Sequence, residues 1–148
     1  MRARAAPVLL SLIVAAALAA CSSGGTAAAP TVTDTWARPA MGMDQPAAAY
    51  MVITNSTGQA DALLSASTPA ASSVEIHQTT TDASGMTAMQ PIARLDVPAG
   101  ATVKLEPGGT HLMIMGLTKP LAVGDKLELD LVFEHAGKVV VEAEVRQG

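Results

Sequence analysis

The chain predicts an all-β fold in a single domain, on three observations. Several short runs alternate apolar and polar residues with a period of two, as a half-buried strand requires. Clusters of Gly, Pro, Asn and Asp separate those runs at the spacing of a sandwich or barrel. No long stretch carries the periodicity of an amphipathic helix.

The N-terminal part lies apart from that pattern. Arg2 and Arg4 precede an apolar run from Val8 to Ala20, and Leu18-Ala19-Ala20-Cys21 follows with small residues at a cleavage position. The run is too short to span a bilayer. Residues 1–20 are therefore expected to be an export signal of the lipoprotein kind, since Leu18-Ala19-Ala20-Cys21 resembles a bacterial lipobox, in which the cysteine is lipidated. This accounts for Cys21, the only cysteine in the sequence. Acyl chains bury at about 0.8 kcal/mol per CH₂, so several would hold a domain on a membrane surface. Residues 21–30, Cys21-Ser22-Ser23-Gly24-Gly25-Thr26-Ala27-Ala28-Ala29-Pro30, read as the lipidated flexible tether, and residues 31–148 as the folded domain.

Within that domain the expected strands are Ala47 to Thr54, closed by the turn Asn55-Ser56-Thr57-Gly58, then Ala62 to Ser67, Ser73 to Gln78, Ala101 to Leu105 and His111 to Met115. The clearest strand is Lys126 to Phe133, where Leu127, Leu129, Leu131 and Phe133 alternate with mostly charged residues. Its partner places Val139, Val141, Ala143 and Val145 on one face and Glu142 and Glu144 on the other, with Glu134-His135-Ala136-Gly137 as the hairpin loop. A domain of this size buries an adequate core without disulfides or a structural metal, so a bound metal would be functional.

Charge excludes one class of partner. Loss of Arg2 and Arg4 leaves seven basic residues against thirteen acidic ones, a net charge of −6. With no basic stripe and almost no aromatic residues for base stacking, no nucleic acid is expected as a partner.

His111-Leu112-Met113 is the most informative motif. Residues two apart on a strand project from the same face, so His111 and Met113 form a pair of neutral donors. Imidazole plus thioether suits Cu(I) and suits Mg, Ca or Mn poorly. His77 near the end of one expected strand, Met86 and Met89 in the polar turn after it, and His111 just after Gly108-Gly109 all fall at strand ends or loops, where a rigid scaffold can gather side chains. Met115 shares the face of His111 and Met113 but lies further from the turn, and is assigned to the core. Met51 is expected to pack inside its strand, Met41 and Met43 to sit in a mobile apolar loop, and His135 to be a turn residue. Zinc is disfavoured for want of an anionic or third nitrogen ligand. A blue-copper site is disfavoured because it needs a cysteine thiolate, and no catalytic constellation argues for an enzyme.

From Trp36 to the C-terminus the chain resembles the periplasmic copper chaperones of the PCu(A)C type. The resemblance rests on Trp36-Ala37-Arg38-Pro39, Ala49-Tyr50-Met51-Val52-Ile53-Thr54-Asn55, Val74-Glu75-Ile76-His77, Gly85-Met86-Thr87-Ala88-Met89 and Leu105-Glu106-Pro107-Gly108-Gly109-Thr110-His111-Leu112-Met113, with Gly116-Leu117 after them. The family motif is a His, ten residues, a Met, twenty-one residues, then His-x-Met. Met89 and His111 keep the spacing of twenty-one, whereas His77 and Met89 are separated by eleven, one more than the motif, in a polar loop that absorbs an insertion. The resemblance implies a cupredoxin-like Greek-key sandwich or barrel. It implies one Cu(I) per domain held by His77, Met89, His111 and Met113, with Met86 in reserve. It also implies delivery of copper to an exported or membrane acceptor, typically the dinuclear CuA centre of a cytochrome c oxidase subunit. A monomeric lipoprotein on the extracytoplasmic side, in the periplasm or at the cell surface, is expected. A copper-sequestering or resistance lipoprotein, or a metal-free structural β-sandwich, are the alternatives.

Overall fold

The computed structural model describes residues 28–148; the expected signal segment and most of the tether, Cys21 included, lie outside the described residues. Ten strands follow one another: β1 (Thr31–Ala37), β2 (Ala47–Thr54), β3 (Asp61–Ser67), β4 (Ala71–Thr81), β5 (Thr87–Pro91), β6 (Leu95–Val97), β7 (Thr102–Leu105), β8 (Thr110–Leu117), β9 (Lys126–Phe133) and β10 (Gly137–Val145). No helix occurs among the described residues.

Seven of these strands close on themselves in the order β4-β8-β2-β1-β10-β9-β3, with β3 returning to β4 through the pair Ala66↔Val74. The pairs are antiparallel except β1 with β10. Closure removes the free edges that an open sheet would expose. β5 extends the sheet beyond β4, β6 beyond β3, and β7 pairs with β2.

The barrel interior is the apolar face of each alternating run. Leu127, Leu129, Leu131 and Phe133 of β9 are each at most 2% exposed. Their burial is favourable by roughly 6–12 kcal/mol before conformational entropy, at about 1.5–3 kcal/mol per side chain. Met51, Ile53, Leu63, Leu112 and Ile114 complete the same core, so Met51 packs as its alternation foretells.

Three strands escape the sequence pattern, each for a local reason. In β1 the pairing with β2 slips by one residue between Thr33 and Trp36, and Asp34 adopts φ 50° there. Such a bulge inverts the alternation: Val32 packs against the core before it, and Ala37 is fully buried after it. Trp36 is thereby turned to the outer face, opposite Tyr50. β5 has no buried residue to alternate, and β6 is three residues long. Met89, expected in a turn, consequently lies on strand β5, paired with Thr79.

Two buried polar side chains tie loops to the barrel. Asn55, fully buried, donates from Nδ2 to the carbonyls of Gln59 (2.8 Å) and Val97 (2.9 Å), while its Oδ1 accepts from the Thr57 amide at 3.0 Å. Asp61, 6% exposed, accepts from the amides of Ala62 (2.8 Å), His135 (3.0 Å) and Ala136 (3.0 Å), clamping the β9–β10 hairpin tip from β3. Burial alone would push the Asp61 carboxyl up, but these three amides prevail and hold it below the ordinary carboxylate range.

Candidate metal centre

The outer face of β5, β4, β8 and β2 brings the donor residues together. Directly opposed residues of an antiparallel pair share a face, and His77 of β4 is opposed to His111 of β8. Glu75 is opposed to Met113, Ser73 to Met115, Met113 to Ala48, and Thr79 to Met89. On the other face Ile76, Leu112 and Ile114 point into the core. The same alternation that buries Leu112 and Ile114 therefore sends His111, Met113 and Met115 outward together.

The two imidazoles lie with ring centroids 5.9 Å apart. Tyr50 packs on the other side of His111 at 6.3 Å, and Trp36 on Tyr50 at 4.5 Å. This cover leaves His111 only 5% exposed although it belongs to the outward face. The turn at Gly108-Gly109, with Gly108 at φ 80°, delivers β8 so that the Gly109 carbonyl accepts both the Thr79 amide (3.2 Å) and Nδ1 of His111 (3.1 Å).

Those contacts assign the protons. A carbonyl only accepts, so His111 carries its proton on Nδ1 and presents the lone pair of Nε2. Glu75 Oε2 lies 2.9 Å from Nε2 of His77, so in the neutral imidazole the proton sits on Nε2 and Nδ1 is left as the acceptor. That Nδ1 is buried and has no hydrogen-bond partner. A buried acceptor without a partner costs about 1–3 kcal/mol and calls for a reason. A metal-binding histidine typically donates its other N–H to a carboxylate or backbone carbonyl; both imidazoles satisfy that condition.

Two cavities flank the pair. One, of about 430 Å³, is lined by Arg38, Tyr50, Thr79, Met89, His111 and Met113 among others. The second, of about 360 Å³, is lined by Asp44, Pro46, His77, Met113, Met115 and Gly116. Met113 belongs to both. Burial pushes the Tyr50 phenol up, against the lowering pull of Arg38, so it remains a neutral hydroxyl at the first cavity. The Arg38 guanidinium lies 5.9 Å from the Tyr50 ring centroid.

His77, His111, Met113 and Met89 are thus collected on one face, with Met89 59% exposed. Met86 is 70% exposed in the turn held by Asp82 and lines neither cavity. Met41 and Met43 are exposed in the β1–β2 loop, and His135 sits at the hairpin tip. Met115 corrects the expectation. It is half-buried, lies outside the core cluster and faces the second cavity, because it follows His111 and Met113 in the outward phase of β8. Glu75 and Tyr50 join the site through tertiary contacts with His77 and His111, beyond the donors that the sequence motif names. The spacing Glu75-x-His77 on one strand face was the available signal for Glu75; nothing local marked Tyr50.

Among the described residues no three of His, Cys, Asp and Glu converge on one point. The donors present are imidazole and thioether, a soft neutral set that favours Cu(I) over zinc or hard cations.

Residues 30–145 match the family described as "Putative lipoprotein LpqE-like". A relative from Leifsonia xyli subsp. xyli, "Putative lipoprotein Lxx21020", is 33% identical over 99 residues. That match covers 67% of this chain, and the chain spans 60% of the length of that relative. Among solved structures, the copper-bound PCuAC domain from PmoF2 superposes with a TM-score of 0.68 at 26% identity, over 82% of this chain and 95% of that one. The solution structure of CuI-DR1885 from Deinococcus radiodurans superposes with a TM-score of 0.61 at 34% identity, over 86% of each chain. With residues 30–145 matched and the all-β barrel cupredoxin-like as in the PCuAC domains, the chain belongs to the LpqE-like family.

Proposed function

We propose that the protein is an extracytoplasmic Cu(I) carrier, a binding protein with no reaction of its own, that holds one ion per domain with His77, Met89, His111 and Met113. The observation that carries this reading is the opposed pair His77 and His111. Each is proton-assigned by an acceptor on one nitrogen, and the buried Nδ1 of His77 is left without a partner. A PmoF2 domain of the same fold is copper-bound, and DR1885 is described with CuI. Met89, rather than Met86, is the loop-side thioether, because it lines the cavity with His111 and Met113.

The chemistry suits a carrier. Thioethers carry no proton and the imidazoles bind in their neutral form, so Cu(I) enters with little proton release. A site without thiolate holds Cu(I) less tightly than a cysteine site and survives an oxidising compartment without forming disulfides. Its cavity is open, so an acceptor can replace one donor at a time. Residues 1–20 act as the export signal, Cys21 carries the lipid, and residues 21–30 tether a monomeric domain near membrane acceptors such as the CuA centre of cytochrome c oxidase.

The test is an anaerobic Cu(I) titration of the protein against a chromophoric chelator, beside His111→Ala and Met113→Ala. One equivalent bound by the parent and affinity lowered more than about tenfold in both variants is expected, since loss of even an outer partner of a ligand costs 10–100-fold. Unchanged binding in either variant, or none in the parent, refutes the reading.

A further inference from the structure

β5 carries Met89 of the carrier site on a strand whose outer edge is unpaired. We propose that the copper acceptor docks by adding an extended, basic segment to that edge, setting a thioether or imidazole of its own beside Met89; this rests on the proposed copper reading.

The phase of the β4–β5 hairpin decides which backbone groups are available. The Asp82 amide donates to the Met86 carbonyl at 2.9 Å, and the Ile92 amide to the Ile76 carbonyl at 2.8 Å. In an antiparallel ladder, opposed residues exchange backbone bonds at every second pair. The opposed pairs Thr80 with Ala88 and Gln78 with Gln90 lie in that phase and turn their amides and carbonyls toward each other. Thr79 agrees, since its amide goes the other way, to the Gly109 carbonyl. Thr87 and Met89 therefore point both N–H and C=O away from β4, and Pro91 points its carbonyl. β5 ends the sheet, and each of its residues is exposed.

Other marginal strands are guarded by charge. β6, at the opposite end of the sheet, carries Asp96 ion-paired to Arg94, and β7 carries Lys104. Charged side chains on an edge discourage the addition of another strand. Thr87-Ala88-Met89-Gln90-Pro91 has none, and only Pro91, which lacks an N–H, limits pairing at its far end.

In strand addition, main-chain bonds supply affinity and alternate side chains supply specificity. A residue opposed to Met89 on the added strand shares its face, which is also the face of His77, His111 and Met113. A neutral soft donor there stands beside the Met89 sulfur and can replace it on the ion. Copper stays Cu(I) throughout, and no proton or electron moves. Charge selects the occupant. The chain has a formal net charge of −4, and Asp82 is exposed at the turn that leads into β5. A second copy is therefore repelled and a basic segment attracted.

The test uses the full-length protein, apo and loaded anaerobically with Cu(I), and the synthetic peptide Lys-Thr-Val-Met-Val-Thr-Lys at millimolar concentration. Hydrogen exchange read amide by amide should slow at Thr87 and Met89 when the peptide is added, with Ala88 and Gln90 unchanged. Thr87→Pro removes an outward donor and leaves the β4–β5 ladder intact. It should weaken peptide binding at least about tenfold, the equivalent of about 1.4 kcal/mol, whereas Thr87→Val, which loses the same hydroxyl but keeps the N–H, should stay within about twofold of the parent. Thermal melts verify both variants, and should either fail to fold, the exchange pattern in the parent still decides. With leucine in place of the peptide's methionine, binding to the loaded protein should weaken about tenfold and binding to the apo protein should not change. With glutamate in place of its lysines, binding should weaken, most at low salt.

No protection at Thr87 and Met89, protection that extends to every residue of β5, or parent-like binding by Thr87→Pro overturns the docking. Equal binding of the methionine and leucine peptides overturns the soft donor, and equal binding of the lysine and glutamate peptides overturns the basic partner. Protection that grows with protein concentration alone assigns the edge to a second copy and overturns the acceptor. A Cu(I) titration separates the failures. If the parent binds copper but the peptide fails, only the docking falls. If the parent binds none, the carrier reading falls, and this inference with it.

Discussion

Replacing Asp61 tests whether one carboxylate holds the β9–β10 hairpin to the barrel. In Asp61→Asn the oxygen that accepts from Ala62 and His135 can be kept, but the amide nitrogen must then face the Ala136 N–H, donor against donor. Rotating the amide is worse, because it sets the NH₂ against two donors. One hydrogen bond to a charged group is lost and the remaining two lose their charge assistance, which amounts to about 2 kcal/mol, given about 1.5–3 kcal/mol for a bond to a charged group. Asp61→Ala removes all three, and with the Ala62 amide left in a residue that is fully buried the loss is about 3 kcal/mol. At about 4 °C per kcal/mol for a domain of this size, the melting temperatures fall by roughly 8 and 12 °C. The pH dependence supplies a second readout. The native carboxyl is held below its ordinary value, so its stabilisation is fully present above the unfolded pKa near 3.9 and is lost as pH falls through the native value. Urea melts at pH 7 and through the acid range should therefore show parent and Asp61→Asn separated at neutral pH and converging in acid. A loss under about 0.5 kcal/mol at pH 7, or a gap that persists at low pH, would refute the argument.

Two further substitutions probe the metal face. Glu75→Ala frees Nε2 of His77 from its acceptor, and Cu(I) affinity is expected to fall about 10–100-fold with little change in melting temperature, because Glu75 is about half exposed; chelator competition and a thermal melt report the two quantities. Gly116→Ala forces a Cβ against Ser72 at a left-handed backbone position, costing about 1–3 kcal/mol; urea denaturation measures it, and an unchanged midpoint would show that the β8 backbone does not need this conformation.

Much of the barrel was legible because strand alternation is local. The β9–β10 hairpin, the β2 strand and the phase of β8 follow from residues two apart, whose side chains must point the same way whatever the rest of the chain does. β1 and β5 were illegible for opposite reasons: a bulge at Asp34 inverts one alternation, and the other strand is exposed on both faces and has none. Distance from the turn points Met115 to the core, whereas its phase in β8 turns it outward.

The sequence by itself determined that His111 and Met113 share a face, that the donors are soft, and that the family motif is present up to one inserted residue before Met89. Only the tertiary structure decided that His77 stands opposite His111, that Glu75 and the Gly109 carbonyl assign the protons, that Tyr50 packs on His111, and that Met113 borders two cavities. The register between β4 and β8, and the placing of β2 beside them, is set by closure of the whole barrel around its core. No stretch of neighbouring residues encodes that closure, although a slip of one residue in β8 would be enough to turn Leu112 and Ile114 out and His111 in.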